Sequence, residues 1–117
     1  MGNAMQLKQT AVAIIPCIDL DQTQRFYQQL GFTVTSNYDA HGYRIFHDLK
    51  GASVHLTRAE PGWVVPERNA HVLYLYSEDV ETLAAHFSCP AEVKPWGLRE
   101  FAVSDPNGLL VRVGWPE

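Results

Sequence analysis

The chain has 117 residues, with nine Lys and Arg, thirteen Asp and Glu, and a hydrophobic content of 46%. This length and apolar content predict one packed domain, placed at residues 5–117, and five Phe, five Tyr and three Trp exclude a disordered chain. The net charge of −4 offers no basic surface, and no apolar run is long enough to cross a bilayer, so neither nucleic acid nor membrane is expected as a partner.

The first half of the chain predicts a strand, a helix and three further strands. Residues 11–18 form a β-branched run, and residues 19–30 then place apolar side chains at helical spacing before Gly31. The helical stripe consists of Thr23, Phe26, Tyr27 and Leu30. Short strands are predicted at residues 32–36, 43–48 and 53–58.

The second half repeats this order. A strand is predicted at residues 71–77, a helix at 79–88, and strands at 91–95, 98–104 and 109–114. The aspartates that open the two helices, Asp19 and Asp79, are offset by 60 residues (79 − 19). The sequence therefore predicts an α+β fold of two βαβββ modules, residues 11–58 and 70–114.

The segment that joins the modules, residues 59–69, is called the flap below. Its two prolines and one glycine break regular structure, and it carries Trp63. Trp63 either packs onto the core as a loop residue or lies on a segment that covers a cavity.

The two cysteines, Cys17 and Cys89, lie far apart and have no metal-binding or redox spacing. The first residues contain no basic stretch followed by an apolar run. These features favour a cytoplasmic protein with two reduced thiols.

Several motifs occur in a characteristic order. They are the paired modules, the run Phe26, Tyr27, Leu30, Gly31 and Phe32, and a terminal Asp105-Pro106-Asn107-Gly108 hairpin. Over residues 11–114 this order resembles the vicinal oxygen chelate superfamily, also called the glyoxalase/bleomycin resistance/dioxygenase superfamily. The resemblance implies a curled mixed sheet around a cavity, with the helices on the outer face.

Alternation along the strands assigns side chains to the cavity face. His55 and Arg112 fall at equivalent positions of the two modules, at an offset of 57 residues (112 − 55). Metal-dependent members of the superfamily use these two positions and one position in the first strand of each module. Here the four positions hold Val12, His55, Val72 and Arg112, and only one of these is a metal donor. No metal and no other cofactor is therefore expected.

The departure from the metal pattern resembles the bleomycin resistance branch of the superfamily. Pro95-Trp96-Gly97, the Asp-Pro-Asn-Gly hairpin and a non-acidic residue at Arg112 all match that branch. This resemblance implies non-catalytic binding and a homodimer with clefts at its interface. Pro16 fits a first strand that is swapped between chains, and it would equally suit any edge strand.

The predicted function is sequestration of a small aromatic ligand. Because the net charge of the chain is acidic, a positively charged ligand is one option. Flat ligands need rings on opposite walls and one or two charges. The residues predicted to bind the ligand are Trp63, Trp96, Tyr43, His47, His55, Glu100 and Arg112. For Glu100 two roles stay open, a contact to a ligand cation or an ion pair with Arg112 or Arg99. No residue is predicted to be catalytic.

Two other functions remain open. One is a metal-dependent enzyme of the glyoxalase, dioxygenase or thiol transferase type, in which His55, His71 and His47 would hold the ion. The other is an interaction module that has lost ligand binding.

Overall fold

The computed structural model describes residues 8–117 and contains two modules of the predicted kind. The first module consists of β1 (Ala13–Cys17), α1 (Leu20–Gln29), β2 (Thr33–Tyr38), β3 (Tyr43–His47) and β4 (Ser53–Arg58). The second consists of β5 (Val72–Tyr76), α2 (Val80–His86), β6 (Glu92–Val93), β7 (Leu98–Ser104) and β8 (Leu110–Pro116). The flap, predicted to be irregular throughout, contains a short 3-10 turn at Pro66–Arg68.

Each module forms its own four-stranded sheet. The strand order is β1-β4-β3-β2 in the first sheet and β5-β8-β7-β6 in the second. The first strand of each module runs parallel to the last, and the remaining pairs are antiparallel. The predicted α+β fold is confirmed, but the two sheets do not join or close around a cavity within one chain, because β1 and β5 pair only inside their own modules.

One face of each sheet packs against the helices, and the opposite face is called the open face here. The packed face is buried and apolar, with Phe46, Val54 and Leu56 in the first sheet and Phe101, Val111 and Val113 in the second. Side chains at the alternating positions point to the open face. Most of them are half-buried or exposed, whereas Glu100 of β7 is buried. Phe46 and Phe101, predicted from alternation to belong to the core, are buried as expected.

Helix α1 begins where its sequence predicts. The side chain of Asp19 accepts a hydrogen bond from the backbone N–H of Gln22 at 2.9 Å, which satisfies one of the free donors of the first turn. Asp79 makes no such contact in α2 and instead forms an ion pair with Lys50 of the other module. No helix of the described chain is long and apolar enough to cross a membrane.

The hairpin between the last two strands of each module packs against the other module. Asp48 and Asp105 shape the two hairpins in the same way, each accepting two backbone N–H groups through Oδ1. In the second hairpin, Oδ2 of Asp105 also accepts the buried hydroxyl of Tyr27 in α1 at 2.9 Å. Gly108 packs so closely on Pro66 of the flap that a Cβ there would collide with its backbone. Both hairpins therefore join the modules into a common core.

Candidate functional site

Four side chains of the second module form a hydrogen-bonded group on its open face. The carboxylate of Glu100 lies in β7 and is only 2% exposed. Oε1 accepts the hydroxyl of Tyr74 at 2.9 Å and the indole N–H of Trp96 at 3.2 Å, while Oε2 accepts Nη1 of Arg112 at 3.2 Å. These four residues are called the Glu100 cluster below.

Tyr74 reaches Glu100 by passing over β8, which lies between β5 and β7 in the sheet. The residue beneath its phenol ring is Gly114, the register partner of Glu100. A Cβ on Gly114 would lie 3.1 Å from Cζ of Tyr74 and would collide with the hydroxyl. The glycine therefore makes room for the bond between Tyr74 and Glu100.

The cluster holds a negative charge in a buried place. Burial by itself raises the pKa of Glu100, but the hydrogen bonds from Trp96 and Tyr74, together with the positive charge of Arg112, outweigh burial and lower it below the ordinary value. Burial and the bond to Glu100 raise the pKa of Tyr74 to about 12. At neutral pH Glu100 is thus an anion and Tyr74 a neutral donor.

The cluster leaves aromatic surface in contact with solvent. Trp96 lies in the turn before β7 and is 59% exposed although its N–H is bound. Tyr76, on the same face of β5 as Tyr74, is 62% exposed, and the two tyrosine rings are 4.7 Å apart. The polar ends of Trp96 and Tyr74 are fixed, and ring surface of the group remains free for a ligand.

A second polar group lies on the open face of the first sheet. The hydroxyl of Tyr43 lies 2.7 Å from Nδ1 of His55, and the two rings meet edge to face at 5.4 Å. His47 lies on the same strand as Tyr43 and is bound through Nδ1 to Thr35 at 2.7 Å. Burial, with a smaller contribution from His47, lowers the pKa of His55, so its ring is neutral at pH 7.

His55 and Arg112 occupy equivalent places in the two sheets. Ile14 of β1 is the register partner of His55, and Tyr74 of β5 is the register partner of Arg112. The four positions singled out in the sequence, Val12, His55, Val72 and Arg112, offer one nitrogen donor and a guanidinium, which repels a cation. Among residues 8–117, no three His, Cys, Asp or Glu side chains come together to hold a metal ion. His71 lies before β5, and its ring contacts Asn69 instead. The described residues therefore do not fit a bound metal.

A cleft of about 510 Å³ lies where the second sheet meets the hairpin of the first module. Its lining includes Tyr74, Tyr76 and Trp115 of the second sheet and Asp48 and Lys50 of the first-module hairpin. The aromatic surface of β5 therefore continues into a recess that involves both modules.

The structure groups six of the seven predicted residues and separates one. Tyr43, His47 and His55 share the open face of the first sheet, whereas Trp96, Glu100 and Arg112 belong to the Glu100 cluster. In the part of the chain that the structure covers, no hydrogen bond or ring contact joins the two groups.

Trp63 is the residue that stands apart. It is 73% exposed on the flap and lines neither the cleft nor the Glu100 cluster. The interpretation that Trp63 packs onto the core is wrong, because its side chain contacts solvent. Its role as a ligand contact stays a prediction.

For Glu100, the structure shows an ion pair of the kind that the sequence left open, while a contact of Glu100 with a ligand stays a prediction. Its carboxylate is paired with Arg112, while Arg99 points to the other face of β7 and binds Glu81 and Glu117. Sequence reasoning missed Tyr74 and Tyr76, although strict alternation along β5 places both on the open face.

Comparison with known proteins was made by sequence and by structure. No family model and no curated protein sequence matches the chain. The bleomycin resistance determinant encoded on transposon Tn5 superposes with a TM-score of 0.78 at 22% identity, over 94% of this chain and 99% of that one. The antibiotic-binding protein TnmS3 from Streptomyces sp. CB03234 gives 0.73 at 23% identity, over 97% and 100%.

A protein from Nocardioides with the description glyoxalase/bleomycin resistance protein/dioxygenase gives a TM-score of 0.66 at 17% identity, over 97% of this chain and 86% of that one. Likeness at these identities concerns the fold alone. The chain shares its fold with bleomycin resistance and antibiotic-binding proteins.

Proposed function

We propose that the protein binds and sequesters a small planar aromatic molecule without altering it chemically, as an antibiotic-binding protein does. The observation that carries the proposal is the anchoring of Trp96, whose N–H is held by buried Glu100 while its ring is 59% exposed. A ring fixed in this way contacts a flat ligand with little loss of side-chain freedom.

The polar groups of the site are suited to binding rather than to catalysis. Glu100 already accepts three donors, and the side chains of Tyr43 and His55 are bound to each other. A general acid or base must exchange a proton with its substrate, and groups committed to internal partners are poorly placed for this. The lack of fit to a metal further disfavours the alternative of a metal-dependent enzyme.

We further infer that the functional unit is a homodimer, acting in the cytoplasm. Ile14, Val72 and Tyr76 expose large side chains on the open faces of β1 and β5. Exposed apolar side chains of this kind favour association, and two-fold pairing is the usual form of it. In a dimer, Tyr43, His47 and His55 of one chain would lie opposite the Glu100 cluster of the other chain. The two groups would then supply the two walls that a flat ligand needs.

The proposal is tested by calorimetric titration of the full chain with metal-free bleomycin and a panel of planar aromatic antibiotics. We expect binding of at least one compound. Replacing Trp96 with Ala should weaken it about 5- to 150-fold, as loss of one stacking ring does. The matched variant Trp96→Phe keeps a ring and should lose less.

Two results would refute sequestration of an aromatic ligand. Mass spectrometry of the ligand after incubation should return it unchanged, and a new product would instead indicate an enzyme. Unchanged affinity in both Trp96 variants, or no binding by any member of the panel, would argue against an aromatic site and for an interaction module.

A further inference from the structure

The charges on the open face of the second sheet are balanced. Glu100 in β7 is directly opposite Glu92 in β6, so both carboxylates lie on this face. Each has a basic partner, Arg112 at 3.2 Å for Glu100 and Lys94 at 3.4 Å for Glu92. Among the described residues, each of these two strand carboxylates therefore has a basic partner, and the exposed Glu78 lies beyond β5, at the cleft.

Arg112 has N–H donors without a partner among the described residues, whereas both carboxylate oxygens of Glu100 are hydrogen-bonded. A guanidinium is a positively charged group with five N–H donors and no acceptor. Nη1 binds Glu100, and within residues 8–117 neither Nε nor Nη2 has an acceptor. Its side chain is 41% exposed. Hydrogen-bonding capacity for an acceptor, or for an anion, is thus available beside the aromatic surface.

The free N–H donors of Arg112 lie beside the aromatic rings of the site. Tyr74 is its register partner on the same face of the sheet, and Tyr76 continues the aromatic surface by one strand repeat. Trp96 binds the same carboxylate as Arg112. A flat ligand on these rings would lie next to the free edge of the guanidinium, which is shaped to bind a planar acid group through two parallel hydrogen bonds.

We propose that the site selects planar aromatic ligands bearing an acidic group, such as a carboxylate or sulfonate, and that Arg112 determines this specificity. The inference rests on the proposed aromatic-binding function. It differs from the positively charged ligand that the net charge of the chain suggested, because the local arrangement of charges, rather than their sum, acts on a bound molecule.

The test uses three probes with one ring system and different charges. Acridine-9-carboxylate is an anion, acridine is neutral and 9-aminoacridine is a cation near pH 7.5. Calorimetric titration at low ionic strength should rank their affinities in that order. In Arg112→Gln, acridine-9-carboxylate should lose about tenfold or more of its affinity, while acridine changes by less than about twofold.

Two further variants separate specificity from folding. Arg99→Gln removes an arginine of β7 that points to the opposite face of the same sheet, and it should leave all three affinities unchanged. Should Arg112→Gln unfold because Glu100 loses its partner, the double variant Glu100→Gln/Arg112→Gln removes both charges and should still show the selective loss of the carboxylate probe.

The outcomes distinguish this inference from the function on which it rests. Equal or tighter binding of 9-aminoacridine, or an unchanged preference for acridine-9-carboxylate after loss of Arg112, would overturn the role of Arg112 while leaving aromatic binding intact. If no probe binds, or if Trp96→Ala weakens none of them, both the inference and the proposed function fail.

Discussion

The phenol of Tyr74 crosses its sheet directly above Gly114, and the missing side chain of that glycine is what allows the hydroxyl to reach Glu100. Gly114 has no left-handed backbone requirement, since its φ lies outside the positive range. An alanine would fit the backbone dihedral angles there. The main effect of an added methyl group should therefore come from its collision with the Tyr74 side chain, which would be closer to it than the Arg99 carbonyl oxygen at 3.3 Å.

Gly114→Ala should therefore displace Tyr74 and weaken binding of an aromatic probe, with a destabilisation of about 1–3 kcal/mol. In a Tyr74→Ala background the same substitution should cost much less, because the ring that it strikes is gone. A double-mutant cycle from urea unfolding measures this coupling. Equal costs in both backgrounds would show that Gly114 serves some purpose unrelated to Tyr74.

Glu100 should make stability depend on pH in a defined direction. Its pKa is lowered in the folded protein, so the unfolded chain takes up the proton first as the pH falls, and the stabilisation is present at neutral pH and lost in acid. Glu100→Gln should cost about 1–3 kcal/mol at pH 7 and flatten the decline in stability between about pH 5 and pH 3.

The matched control for this change is Glu92→Gln, at the exposed carboxylate across from Glu100. It should leave the pH profile within error of the wild type. A profile of Glu100→Gln that stayed parallel to that of the wild type would mean that the cluster does not stabilise the ionised carboxylate.

The contact between Tyr27 and Asp105 should be important for stability rather than for binding. Burial and the neighbouring Asp105 raise the pKa of Tyr27, so the hydroxyl stays a donor at all working pH values. Tyr27→Phe leaves Oδ2 of Asp105 without this donor and should lower the free energy of unfolding by about 1–3 kcal/mol. Tyr38→Phe, at an exposed tyrosine, should stay within about 0.5 kcal/mol.

Protein purified without chelators should contain no stoichiometric divalent metal. The positions Val12, His55, Val72 and Arg112 supply too few donors, and the guanidinium opposes a cation. Elemental analysis provides the measurement. About one equivalent of zinc, nickel, manganese or iron per chain, lost in His55→Ala, would show that this reasoning is wrong.

The homodimer should be evident in solution at micromolar concentration. Light scattering should give about twice the 13.2 kDa mass of the chain. Replacing Ile14 with Glu on the exposed open face should shift the population towards monomer and reduce ligand affinity with it, since both sites would lose a wall. A monomeric wild-type protein that still binds its ligand would refute the shared site.

Most of the fold was predictable because its signals are local and repeated. Alternation in the strands, helical spacing before Gly31 and the 60-residue offset gave the order of elements, and β7 has the predicted bounds at Leu98–Ser104. The hydrogen bonds of Glu100 were harder to predict. One of them joins Tyr74 of β5 to Glu100 of β7 across the intervening strand β8, above Gly114, and only the sheet order brings these two side chains together.

The open arrangement of the two sheets, in place of the expected closed cavity, could not be predicted for a different reason. The resemblance describes a sheet around a cavity, yet nothing in the pattern of one strand says whether its free edge meets a partner in the same molecule. Similarly, Asp79 stands where a helix cap is expected at the start of α2, but its carboxylate forms an ion pair with Lys50 and no capping hydrogen bond. Tertiary partners decided both outcomes.

The packing of each module's hairpin against the other module has a consequence for how the chain unfolds. Asp105 and Asn107 bind α1 of the first module, and Lys50 binds the start of α2 in the second, so each half contains part of the support for the other. Neither half is a complete folding unit, and melting should proceed in one cooperative step. A chain nicked in the flap should accordingly hold together as a complex of two fragments, each of them largely unstructured when alone.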